Sequence, residues 1–285
     1  MKWELTHRAG EIKILNPVLL ERYDCGGNDD DMTLIGRLIT YFVGYVLPYV
    51  AIVVFLCGAL WRIWTWARSA VPLRIPTTPA PDTVPGVIGR MASEVLIFRS
   101  LFKGDRLLWL GGIAFHICLL SVLLRHLRYF LYPVPWFIVC WGDIAPYFAY
   151  FLPVPLLFLL IRRLTNERLL YISGWADWLP LLLLLSIVAS GLAMNYYARV
   201  DLLAVKDYIL SLMVLKPVPP PASAMFLTHF SLVMLLLIYL PFSKIMHLAG
   251  IFFSPTRNQR NNWRQVFVNP WDAQPRSVRQ GGEVK

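Results

Sequence analysis

Two apolar stretches decide how this chain is read: LLWLGGIAFHICLLSVLLRHLRYF, residues 107–130, and AMFLTHFSLVMLLLIYLPFSKIMHLAGIFF, residues 224–253. The first carries His116 and His126, the second His229 and His247, and these are four of the chain's five histidines. Each stretch is long enough to cross a bilayer as a helix. A ring nitrogen in hydrocarbon is costly without a partner, so a histidine there is read first as a functional group. Run antiparallel, the two helices bring His116 level with His247 and His126 level with His229. Opposed neutral imidazoles are what a low-spin haem iron takes as axial ligands. The expectation is therefore two haems b, one held by His116 and His247, the other by His126 and His229. The plainer reading of any single histidine is a hydrogen bond to a neighbouring helix; four that pair by depth favour the metal.

The spacings carry a tension. On ideal helices His229 and His247 share one face and differ in depth by about 27 Å, whereas His116 and His126 differ by about 15 Å and lie about 80° apart around the axis. Helix tilt and a bend at Pro241 are expected to absorb the difference of about 12 Å.

Outward from these stretches, the composition is that of a membrane protein. Of 285 residues 57% are hydrophobic and 15% charged, with a mean hydropathy of +0.55. A soluble chain of this size carries about 25% charged residues. The net charge of +10 is thus no sign of nucleic-acid binding; it belongs to the loops. Cys25, Cys57, Cys118 and Cys140 have no CxxC spacing and suggest neither a disulfide framework nor an iron–sulfur cluster. The start, MKWELTHRAGEIKIL, has no apolar core of a signal peptide.

Taken in order, residues 1–31 read as a polar leader in which His7 is a solvated side chain. An all-α, five-helix membrane domain follows over 32–253. Its first span, about Leu34 to Trp66, has aromatic belts at both ends and a kink at Pro48. A Pro-rich, extended connector covers 68–85. After it, residues 86–104 set Val87, Ile88, Met91, Val95, Leu96 and Phe98 on one side and Arg90, Glu94 and Lys103 on the other, an amphipathic helix for the membrane surface or a soluble partner. The second span is Leu107–Phe130. Residues 131–142 read as a short interfacial piece. The third span is about Ile144–Ile161, the fourth about Trp178–Tyr197 and the fifth about Ala224–Phe253, with a basic tail over 254–285. No internal repeat is present.

Arginines and lysines crowd the connector of residues 68–106, the loop at Arg162, Arg163 and Arg168, and the tail. The positive-inside rule then puts the tail in the cytoplasm and the leader outside. His126 and His229 become the outer pair, His116 and His247 the inner one. Arg125 and Arg128 flank His126 and suit haem propionates. Asp143, Arg199 and Asp201 are other polar groups at that end, and Arg62 and Lys244 stand at the inner end. No P-loop or dinucleotide fingerprint is present. Electrons would pass between a lipid-soluble quinone and another subunit, which makes the chain the electron-transfer subunit of a quinone-dependent oxidoreductase complex. A reading from another class keeps a haem-free scaffold or transporter whose histidines relay protons or bind metal.

Histidines ten apart on the second of five spans and eighteen apart on the fifth resemble the gamma-type cytochrome b subunit of respiratory nitrate reductase, over roughly residues 34–253. The resemblance implies the same two histidine pairs. The tail HLAGIFFSPTRNQRNNWR, His247–Arg264, is similar to the DsrM family, cytochrome b subunits of a membrane complex of dissimilatory sulfur metabolism. That resemblance implies menaquinone as substrate, an iron–sulfur DsrK-like partner related to heterodisulfide reductase at the cytoplasmic face, and DsrJ-, DsrO- and DsrP-like subunits beside it. Arg257–Arg264 would touch DsrK or lipid phosphates. One departure is plain: the nitrate-reductase relative uses a lysine near its outer haem for quinol, and no lysine stands at an equivalent place after His126. Nitrate reductase, or another heterodisulfide reductase-like complex, is the alternative context.

The pairing makes a direct prediction. His126→Ala and His229→Ala should each delete the same haem and leave the other; two variants that lost different haems, read by redox spectroscopy, would sink the pairing.

Overall fold

The computed structural model describes residues 34–69, 76–77 and 79–261. The leader expected over 1–31 and the tail beyond residue 261 lie outside the described residues. Two compact units divide the chain, Met1–Tyr41 and Phe42–Lys285. In the first, helix α1 (Leu34–Tyr41) is described. Everything that follows concerns the second.

All described elements are helical. A π turn, Phe42–Val46, leads into α2 (Leu47–Arg68). Then come α3 (Val84–Ile97), α4 (Arg99–Gly104) and α5 (Arg106–His126). Short α6 (Trp136–Trp141) precedes α7 (Ala145–Phe151), α8 (Pro153–Thr165) and α9 (Glu167–Ile172). Next are α10 (Trp175–Tyr196), α11 (Leu202–Met213), α12 (Ala224–Tyr239) and α13 (His247–Gly250). Five runs are long and apolar enough to cross a membrane: Leu34–Arg68, Arg106–Tyr129, Ala145–Thr165, Trp175–Tyr196 and Ala224–Phe242. In none of them is more than 22% of the most apolar window buried. Leu110, Ile117, Leu120 and Leu123 of α5 are each at least half exposed. Surfaces this apolar need lipid as their solvent.

The spans pack as two halves. One core joins Ala51 of α2 to Tyr208 and Leu212 of α11 and to Phe226, Phe230 and Met234 of α12. The other joins Cys118 of α5 to Leu152 and Leu156 at the start of α8. Helix α10 serves both, with Met194 against the first core and Leu181, Leu184, Leu185 and Val188 against the second. Helix α12 lies along α2 and α10, and α5 along α7 and α8; among the described residues α5 and α12 are not a closely packed pair. Helix α10 thus packs on the cores of both histidine-bearing helices.

Prolines set the breaks. Pro48 lies in the first turn of α2 behind the π turn. In α register Gly44 would offer its carbonyl to residue 48, which has no N–H. The Tyr208 hydroxyl donates to that carbonyl instead, at 2.6 Å. Tyr208 is fully buried, stacked edge-on against Phe226 and Phe230. Helix α11 was not read from the sequence. Asp201, named there among the polar groups of the outer end, is its N-cap, accepting from the Leu203 N–H at 2.9 Å.

The fifth span departs from expectation. It does not continue to Phe253. It stops in a 3₁₀ turn, Leu240–Phe242, and Ser243 is extended at φ −103° and ψ 171°. The cause is Pro241, which removes an N–H and is buried against Gly58 of α2; a Cβ on Gly58 would lie 2.7 Å from the Pro241 Cβ. A 3₁₀ turn (Lys244–Met246), α13 and a further 3₁₀ turn (Ile251–Phe253) follow. The depth of about 27 Å expected for one unbroken helix thus does not apply, since His247 rides on its own segment.

Helices α3 and α4 replace the single surface helix expected over 86–104, because Phe98 turns left-handed at φ 52°. The expected polar side is also wrong: Glu94 is buried with Val87, whereas Ile88 and Leu96 are exposed.

Tyr208→Phe should cost about 1–3 kcal/mol, the price of a buried carbonyl without its donor. The measurement is the thermal unfolding midpoint of the detergent-solubilised protein; an unchanged midpoint would contradict the role given to the hydroxyl.

Candidate functional site

His116, in the middle of α5, meets His247 of α13, with ring centroids 6.0 Å apart and planes at 81°. His126, the last residue of α5, and His229, in the second turn of α12, lie near one another without such ring contact among the described residues. Because α5 is one unbroken helix, ten residues separate the two levels by about 15 Å along its axis.

Each ring is anchored by the same nitrogen. The Nδ1 of His116 lies 2.7 Å from the Gly112 carbonyl, and that of His126 lies 2.7 Å from the Val122 carbonyl. His247 Nδ1 lies 3.0 Å from the Lys244 carbonyl, and His229 Nδ1 lies 3.1 Å from the Ile187 carbonyl. A carbonyl only accepts, so Nδ1 carries the proton in all four and Nε2 is left with a lone pair. Among the described residues no hydrogen bond reaches any of these Nε2 atoms. This is the arrangement of metal-ligating histidines, whose second nitrogen donates to an oriented acceptor. The spacing of the first pair fits as well. Two metal–nitrogen bonds of about 2 Å, with about 1 Å from each nitrogen to its ring centre, put opposed centroids about 6 Å apart. The residues present therefore suit a haem iron at each level.

The surroundings differ between levels. At His116 the ring edge of Phe98 packs at 4.9 Å, which is what the left-handed turn of Phe98 brings about. His247 is fixed through Lys244, whose ammonium pairs with Asp177 at 2.6 Å, and Arg163 reaches the same carboxylate at 3.5 Å. Lys244, noted from the sequence only as a polar group of the inner end, thus ties this segment to α10. Arg62 stacks over Trp66 at 5.5 Å. Arg257, expected to meet a partner or lipid, pairs with Glu94 at 3.7 Å. Arg90 has its Nη1 buried with no hydrogen-bond partner among the described residues.

At the other level Arg125 and Arg128 flank His126 and make no ion pair among the described residues. The Arg128 guanidinium lies 5.7 Å over the Tyr129 ring. Lys206 of α11 stands 5.1 Å over Tyr132. His229 leans on α10, where Ser190 Oγ lies 3.0 Å from its Nδ1 and a Cβ on Gly191 would lie 3.1 Å from its Cε1. Neither Ser190 nor Gly191 was singled out from the sequence. The available signal was the small trio Ala189–Gly191 in a leucine-rich span, a mark of close helix approach.

The nitrate reductase gamma subunit family model matches residues 99–266, more than half of the chain and all four histidines. The chain belongs to the nitrate reductase gamma subunit family. Curated relatives narrow the branch of this gamma family. An Hdr-like menaquinol oxidoreductase cytochrome b-like subunit of Archaeoglobus fulgidus is 40% identical, over 82% of this chain and 85% of the relative. A subunit of the same description from Archaeoglobus profundus is 36% identical, over 82% and 84%. The gamma-family chain described here is thus a multi-pass membrane protein related to subunits of Hdr-like complexes.

Glu94 ties the connector to the tail: it accepts from the Ser100 N–H at 3.1 Å and from the Ser100 hydroxyl, beside Arg257. Burial alone would raise its pKa, but the Ser100 bonds and the charges of Arg257 and Arg90 together hold it below the ordinary glutamate value. A depressed acid contributes stability that is complete above the ordinary value and is lost as pH falls through the folded one. Acidification below about pH 4.3 should therefore weaken this anchor. In Glu94→Gln the unfolding midpoint should be lower at neutral pH and fall less steeply with acid; parallel pH curves for the two proteins would refute this.

Proposed function

We propose that this chain is a dihaem membrane cytochrome b that exchanges electrons between menaquinone and a cytoplasmic heterodisulfide reductase-like iron–sulfur subunit. The observation that carries the reading is the two levels of paired imidazoles, each with Nδ1 spent on an oxygen of the chain and Nε2 bare. His116 and His247 would hold the inner haem, His126 and His229 the outer one. A haem held by two imidazoles exchanges single electrons and keeps no open position for another ligand. Arg125 and Arg128 would bind the outer propionates by charge-assisted hydrogen bonds. Arg90 keeps a buried Nη1 without a hydrogen-bond partner among the described residues.

In this orientation residues 1–31 are an extracytoplasmic leader, 32–253 the membrane domain and 254–285 a cytoplasmic tail; 68–106 form a cytoplasmic connector. The membrane is the cell's inner, cytoplasmic one. Quinol oxidised beside the outer pair leaves its protons outside while electrons move inward. That direction counts energetically, at about 2.3 kcal/mol per charge for 100 mV. Likeness to the Hdr-like menaquinol oxidoreductase subunits of Archaeoglobus supports menaquinol and an Hdr-like assembly. The tail's likeness to the DsrM family supports dissimilatory sulfur metabolism, with a DsrK-like subunit carrying the disulfide or trisulfide chemistry and DsrJ-, DsrO- and DsrP-like subunits alongside.

The test is a reduced-minus-oxidised spectrum of the purified complex with haem quantified per chain. Two haems b, both reduced on adding a menaquinol analogue, are expected. No b-type band, or fewer than two per chain, overturns the proposal and returns the histidines to a proton-relay or scaffold role.

A further inference from the structure

Three of the four imidazoles give Nδ1–H to a carbonyl of their own segment: Gly112, Val122 and Lys244. His229 differs. Among the described residues it is the one whose Nδ1 reaches another helix, and the one with a side-chain acceptor. Its Nδ1 lies 3.0 Å from Ser190 Oγ and 3.1 Å from the Ile187 carbonyl, both on α10. The Ser190 hydroxyl donates its own hydrogen to that same Ile187 carbonyl at 3.0 Å. Its oxygen can then only accept from the ring, so one N–H is shared between two acceptors. Ser190 is 8% exposed, and Gly191 lets the ring lie close against α10.

We infer that Ser190 is a positioning residue that raises the electron-donor strength of His229 and so lowers the reduction potential of the outer haem relative to a site without it. The inference rests on the haem reading above. A second acceptor draws the Nδ1 proton away from the ring and enriches Nε2. A richer ligand favours the oxidised metal, the usual effect of an outer-shell partner. The Ile187 carbonyl and the seat at Gly191 remain when the hydroxyl is removed, so the ring should stay in place while its chemistry changes.

The experiment is a potentiometric titration of the purified complex carrying Ser190→Ala or Ser190→Thr, with haem counted in each. The Ala variant should keep two haems per chain. The centre that His229→Ala deletes should become easier to reduce by about fivefold, the scale of one net hydrogen bond. That corresponds to about +40 mV at 59 mV per tenfold. The other centre should not move, and Thr, which keeps the hydroxyl, should titrate as the parent does. No shift, equal shifts at both centres, or a Thr variant that behaves as Ala overturns the inference. Loss of the centre in both variants also overturns it, making Ser190 a packing residue. A parent complex without a b-type band would instead sink the haem reading before any variant is compared.

Discussion

A polar hydrogen inside hydrocarbon has to find an oxygen, and in this bundle the oxygens within reach are those of the chain itself. At four imidazoles that requirement is met at Nδ1 each time. What remains is a set of lone pairs aimed away from the helices that hold them. The bundle is arranged around that remainder. Helix α10 packs on both hydrophobic cores, and α5 and α12 are not a closely packed pair among the described residues.

The two ends of the stack are electrically unlike. Toward His247 several cations have carboxylate partners: Lys244 and Arg163 with Asp177, Arg257 with Glu94, and farther along Arg162 with Asp105 at 3.0 Å. Around His126 the arginines have no carboxylate to neutralise them among the described residues. Uncompensated positive charge beside a redox centre favours its reduced state and attracts acidic substituents. Arginines without a carboxylate partner suit anionic groups at that end.

Length and hydropathy made the five spans readable, because an apolar window of about twenty residues has few other uses. The histidine levels were readable because α5 is unbroken, so counting residues measures depth. Counting failed on the fifth span, where Pro241 and the extended Ser243 reset the direction of the chain. It failed for α11, where Lys206 and Asp207 interrupt the inward residues Val205, Tyr208 and Leu212 and a proline-rich connector follows. Glu94 was assigned to water on periodicity alone; its burial depends on Arg257, more than 160 positions away in the chain, and no local pattern carries that. Ser190 was hidden for the same reason, since its importance lies in a ring on another helix.

The interruption at Ser243 divides the fifth segment mechanically. His229 belongs to a long helix wedged between α2 and α10. His247 belongs to a short piece that continues into the strap formed by residues 251–261. That strap is stitched to the Pro-rich connector by the Thr77 amide to the Thr256 carbonyl, at 2.8 Å, and by the Asn261 amide to the Pro81 carbonyl, at 2.9 Å. It also rests on Trp66 through Phe253. The ring of His247 is thus held by a segment tied to the surface connector, whereas the ring of His229 is held by helix packing inside the bundle.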